Sequence, residues 1–149
     1  MGFTLLEMTL VLALVLVLAM TAGMSLSGFF SSRQLETYTD AVTQSLRQAQ
    51  TYAMARYRDS TWGIYFDTDS NRWTLFKGDS FATRDTAFDL VSSLPAPLAF
   101  TNIAFNEGGS EMVFNKSTGE TLDFGLFAIL EEGKKVIFTI NRYGQIETR

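Results

Sequence analysis

Residues 8–32 carry no charged side chain, and this run of twenty-five residues constrains the chain more than any other feature. Met8 to Met20 is almost wholly aliphatic (MTLVLALVLVLAM), and Thr21 to Ser32 is more mixed (TAGMSLSGFFSS). As a helix the run would extend about 37 Å, against ~30 Å for the hydrocarbon core of a bilayer. The sequence therefore predicts a membrane-spanning helix. Glu7 is the only charge inside the approach to it. A cleaved secretory signal would need a basic start, but MGFTLLE carries an acid and no base. A plain anchor accounts for the length and leaves Glu7 as an interfacial acid. Yet a lone carboxylate costs about 2.5–3.5 kcal/mol at mid-bilayer, so acids in such segments usually serve a function.

The rest of the composition narrows the chemistry. The chain has 149 residues, the length of one soluble domain plus an appendage. It contains no cysteine and no histidine, which removes disulfides, thiolate chemistry, and the commonest general base and metal ligand. The net charge of −4 argues against a general affinity for nucleic acid or anionic lipid. Asp67-x-Asp69-x-Asn71 starts like a calcium loop, but Arg72 stands where the turn glycine belongs. The spacing of Asp79, Asp85 and Asp89 does not demand a cation either. The reading is of a protein that is not an enzyme, with no catalytic, cofactor or metal site.

Gly2-Phe3-Thr4-Leu5-Leu6-Glu7 followed by the aliphatic run resembles the signature of type IV pilins and pseudopilins. The resemblance implies a prepilin peptidase that cuts after Gly2 and N-methylates Phe3, and a Glu7 used in filament assembly. Physically, an acid that is expensive in lipid gains a partner when a neighbouring subunit offers its N-terminal amine. Only Met1 precedes Gly2, whereas the family's leader usually carries Lys or Arg there. Residues 1–2 are thus expected to be the residue of a longer leader. Arg33 and Arg47 would otherwise draw the C-terminal side into the cytoplasm. Many major pilins also kink the span with a proline that this chain lacks, which leans towards a minor pilin or pseudopilin.

Ala19, Gly23 and Ser27 recur every four residues as a small-residue stripe suited to close helix packing. Beyond Ser32 no proline or turn cluster intervenes before Arg58. Leu35, Tyr38, Val42, Leu46, Ala49 and Ala53 recur at spacings of three and four. The spacing predicts one helix, with a transmembrane and assembly half over residues 3–32 and an amphipathic half over 33–58.

The period then changes to alternation, and residues 59–149 read as an antiparallel β domain. Trp62-Gly63-Ile64-Tyr65-Phe66-Asp67, a turn at Thr68–Asn71 and Arg72–Lys77 predict a hairpin. Residues 78–97 read as irregular. Short strands are predicted at 99–105, 111–115, 121–124, 127–130 and 135–141, with a last hairpin closing at 145–148. A helix followed by an antiparallel sheet packed on it is an α+β arrangement, and it is also the pilin plan. The segments LRQAQTYAMARYR, WGIYFD, WTLF, TNIAFNEGG, VFNKSTGE and IFTINRYGQIE look like the H-type minor pseudopilin of type II secretion and its FimT-like pilus relatives.

The expected function is a structural subunit of a type IV pilus-like filament. It would sit as a single-pass protein in the cytoplasmic membrane before assembly and in a surface or periplasmic filament afterwards. The partners implied are other pilin or pseudopilin subunits, a prepilin peptidase, a membrane assembly platform and lipid. The alternative is a minor pilin at the tip that binds DNA or a surface for uptake or adhesion. Arg47, Arg56, Arg58, Lys134, Lys135, Arg142 and Arg149 would supply a local basic patch for it. Against that stands a solvated face interleaved with acids.

Overall fold

The computed structural model describes residue 2 and residues 4–149, without the side chains of 21–32. Among the described residues one helix, α1 (Leu5–Met54), precedes eight strands and three single-turn 3-10 segments. The chain divides into two compact units, Met1–Glu36 and Thr37–Arg149.

In the first unit, α1 starts where Thr4 caps it. The Thr4 hydroxyl accepts the Glu7 amide at 3.3 Å, and its carbonyl accepts the amides of Glu7 and Met8. Thr4-x-x-Glu7 is the spacing of a capping box. From Leu5 (83% exposed) to Met20 (73%), every large apolar side chain faces outward. The span expected over residues 8–32 is not borne out. Among the described residues no helix is long and apolar enough to cross a membrane, and the side chains of 21–32 lie outside that set.

In the second unit one stripe of the helix is buried. Val42, Leu46, Ala49 and Ala53 are fully buried, and Arg47 and Gln44 between them are exposed. The helix closes at Met54 rather than at Arg58. Arg56 takes a left-handed conformation (φ 52°) and donates its amide to the Ala53 carbonyl, ending the helical ladder. Arg58 and Asp59 are left-handed as well, and this turn delivers the chain into the first strand. The Trp62 indole closes the turn by donating to the Tyr57 carbonyl at 3.0 Å.

The strands are β1 (Trp62–Asp67), β2 (Arg72–Lys77), β3 (Leu90–Ser93), β4 (Ala99–Phe105), β5 (Glu111–Phe114), β6 (Gly125–Glu131), β7 (Lys134–Ile140) and β8 (Ile146–Thr148). They form two antiparallel sheets rather than one, ordered β3-β2-β1-β5 and β4-β6-β7-β8. The hairpin expected over 61–77 forms, with Trp62 opposite Lys77 and Asp67 opposite Arg72. In its turn the Asp67 carboxylate accepts the amides of Asp69 and Ser70 and the Ser70 hydroxyl. The Ser70 hydroxyl bond comes first among the causes that hold Asp67 below the usual carboxylate range.

Two of the expected strand assignments also fail. Residues 90–93, read as irregular, form a strand. Residues 121–124, read as a strand, do not; there the Thr121 amide bonds the Arg142 carbonyl instead of joining a ladder.

The sheets meet through aromatic rings. Phe66 of β1 lies 4.5 Å from Phe127 of β6, centroid to centroid, and Phe100 and Phe105 of β4 close around it. Phe127 stacks on Phe138 of β7 at 4.4 Å. Such pairs add about 0.5–1.5 kcal/mol each beyond their burial. Gly63 is required by contact, since a Cβ there would sit 2.6 Å from the Met112 carbonyl.

Residues 37–54 of α1 are tied to this domain by polar bonds. The Trp73 indole donates to the Ser45 hydroxyl at 2.9 Å. The Gln50 amide donates to the carbonyls of Gly119 and Tyr143, both at 3.1 Å. Gly119 and Gly144 have positive φ, which shapes these two loops around Gln50.

Candidate functional site

The residues singled out at the N-terminus occupy the start of α1. Gly2 is exposed, and a Cβ built on it would meet nothing within 4 Å. Folding therefore does not demand glycine at this position. Phe3 lies outside the described residues. Glu7 is exposed in the first helical turn, where the positive end of the helix dipole favours an acid by about 0.3–1 kcal/mol. The capping partner Thr4 went unread in the sequence, although Thr4-x-x-Glu7 was available as a signal. Ala19 is exposed on the arm, and the side chains of Gly23 and Ser27 lie outside the described set.

The basic residues lie on α1, in the turn that follows it, and on β7 and its neighbouring segments. Arg47 is exposed on α1. Arg56 pairs with Asp59 at 3.2 Å, and Asp59 also receives Lys116 at 3.1 Å. The Lys116 hydrogen bond is the first cause of the lowered Asp59 pKa. The Arg58 guanidinium lies 5.6 Å from the ring centres of Tyr57 and Phe88. Lys134 and Lys135 open β7, and Arg149 exchanges backbone bonds with Ile137 of the same strand. Arg142 sits in the turn before β8, its carbonyl bonded to Thr121.

A polar cavity of about 200 Å3 is lined by Asp79, Glu107, Glu111 and Asp123. Asp123 is 8% exposed and accepts the Val113 amide at 3.0 Å. Burial raises its pKa above the usual carboxylate value, opposed by that hydrogen bond and reinforced by Glu107 and Glu111. Among the described residues no group of three or more acids converges to hold a metal ion.

This arrangement of α1 and two antiparallel sheets is a pilin- or pseudopilin-like fold. Two solved structures of the minor pseudopilin EpsH from the type II secretion system of Vibrio cholerae are similar to the chain. One superposes with a TM-score of 0.59 at 14% identity, over 78% of this chain and 96% of that one. The other gives 0.56 at 13% identity, over 78% and 93%. No protein-family model and no curated protein matches the sequence.

Proposed function

We propose that the chain is a minor-pseudopilin-like subunit, of the H type or its FimT-like relatives, that polymerises into a type IV pilus-like or type II secretion filament. The observation that carries this reading is the outward-facing apolar arm, Leu5–Met20, at the head of a pilin-like fold. A helix that is apolar on all sides cannot be covered by one neighbour, so it requires lipid or other helices around it. In the precursor the arm, with residues 21–32, sits in the cytoplasmic membrane; in the filament, sister helices replace lipid. A prepilin peptidase cuts after Gly2 and methylates Phe3, and the assembly platform lifts the subunit out. Glu7 then meets the N-terminal amine of a neighbour in a low-dielectric core. The role is structural and needs no catalysis. The DNA-binding alternative has weaker support, because Arg56 is already ion-paired and the net charge is negative.

The test is co-expression of the chain, preceded by a basic leader, with a prepilin peptidase and an assembly platform. The expected mature mass begins at a methylated Phe3, and filaments should form. Glu7→Val should cut incorporation at least tenfold while leaving cleavage intact, as expected for loss of a charge pair in low dielectric. A precursor that stays uncut, or a Glu7→Val chain that assembles normally, would contradict the reading.

A further inference from the structure

The four outer sheet edges differ in how they are finished. The β5 edge is occupied, since the Val113 amide donates to Asp123 and the Asn115 amide to the Glu120 carbonyl. The β4 edge is broken by a register shift between Thr101 and Ala104, and the Phe100 amide is taken by the Asn71 side chain. The β8 edge is short and carries only the half-buried Ile146 among exposed Glu147 and Thr148. At β3, Leu90–Ser93 pair with β2 alone, all four residues are exposed, and Leu90 (54%) and Val91 (59%) present apolar side chains. Alternate amides and carbonyls of such a strand point outward, unpaired.

At the Leu90 end of β3 lies a cleft of about 210 Å3, lined by Tyr52, Tyr57, Trp62, Phe88 and Leu90 together with Ala87 and Asp89. It is smaller than the ~300–1,000 Å3 of small-molecule sites, and suits one large side chain. Its rings form a connected group, with Tyr52 lying 4.8 Å from Trp62 and 4.9 Å from Tyr57. The charges at this corner are uneven. Asp85 is paired with Lys77 and Asp89 with Arg84, at 3.2 and 2.8 Å. The Arg58 guanidinium lies over Tyr57 and Phe88, and among the described residues no carboxylate pairs with it. The corner thus combines an open backbone ladder, an aromatic socket and one uncompensated cation.

We infer that this corner docks an extended, acidic peptide segment of a partner protein, which adds to β3 as an antiparallel fifth strand. Its chain runs towards the cleft, places a large apolar side chain among Tyr52, Trp62 and Phe88, and sets a following carboxylate against Arg58. Main-chain bonds supply affinity, and the socket and the cation supply specificity. A nucleic acid fits less well, since one unpaired cation cannot neutralise a phosphate backbone and the open ladder would go unused. The inference holds whether or not the chain enters a filament.

The experiment uses the full chain in detergent micelles and three fluorescein-labelled peptides, Thr-Val-Thr-Val-Thr-X-Glu, with X as Phe, Leu or Trp. At least one should bind saturably by anisotropy and should protect the amides of residues 90–93 from hydrogen exchange. Changing X to Ala, or the terminal Glu to Lys, should weaken binding about tenfold, one buried contact's worth. Arg58→Asn should do the same; Asn tolerates the left-handed backbone, so an unchanged near-ultraviolet spectrum confirms folding. The inference is overturned if none of the three peptides binds, if Arg58→Asn binds as tightly as the parent, or if protection falls on another edge. It is also overturned if a thymidine dodecamer binds in an Arg58-dependent way while the peptides do not.

Discussion

Residues 5–20 and residues 37–54 belong to the same helix and are both rich in apolar side chains, yet they have opposite fates. In the first, apolar residues occupy every side and remain outside. In the second they recur at three and four, and Val42, Leu46, Ala49 and Ala53 disappear into the β domain. The difference lies in periodicity and not in hydrophobicity. A stripe can be buried by one neighbour, but a cylinder needs surroundings on all sides. Stability of the β domain therefore rests on the stripe, and under the proposed function association would rest on the cylinder.

The comparison would break most visibly under paired truncations. Leu46→Ala should cost the domain about 2–5 kcal/mol, read as a lower thermal midpoint in detergent. Leu12→Ala, which removes a side chain 59% exposed, should leave that midpoint unchanged and lower only self-association. Equal destabilisation by both would erase the distinction. A smaller effect is expected at Gln50. Replacing it with Ala removes the shared donor of two loop carbonyls and should cost about 1–2 kcal/mol in denaturant unfolding.

The smallest effect concerns Asp123, whose pKa burial raises above the ordinary 3.8. Between that value and the raised one, the native state holds a proton that the unfolded state has lost. Stability therefore falls as pH rises through this window. Asp123→Asn keeps an oxygen for the Val113 amide and removes the buried charge. It should melt higher than the parent at pH 7, and the gap should close as pH falls towards 3.8. A gap that widens on acidification would reverse the assignment.

Much of this was legible in the residues themselves. The stripe from Val42 to Ala53 and the hairpin around Thr68–Asn71 follow from period and turn chemistry alone. β3 was not legible, because Leu90-Val91-Ser92-Ser93 is exposed on both faces and so shows no alternation. Residues 121–124 misled for the converse reason. Leu122 and Phe124 are exposed, while Thr121 and Asp123 are buried for their bonds to Arg142 and Val113. A second sheet could not be foreseen, since pairing depends on contacts far apart in sequence. The aromatic cleft was hidden likewise, since Tyr52, Trp62 and Phe88 arrive from three separate segments.

The Gln50 amide has a mechanical consequence. Tension applied along residues 37–54 of α1 would reach the loops at Gly119 and Tyr143 through the Gln50 side chain and the Ser117 amide bonded to the Ala53 carbonyl, and β2 through the Ser45–Trp73 bond. These few bonds act as rivets. Under load, losing them would also draw Val42, Leu46, Ala49 and Ala53 out of the core, so this part of the helix cannot be pulled free without loosening the β domain.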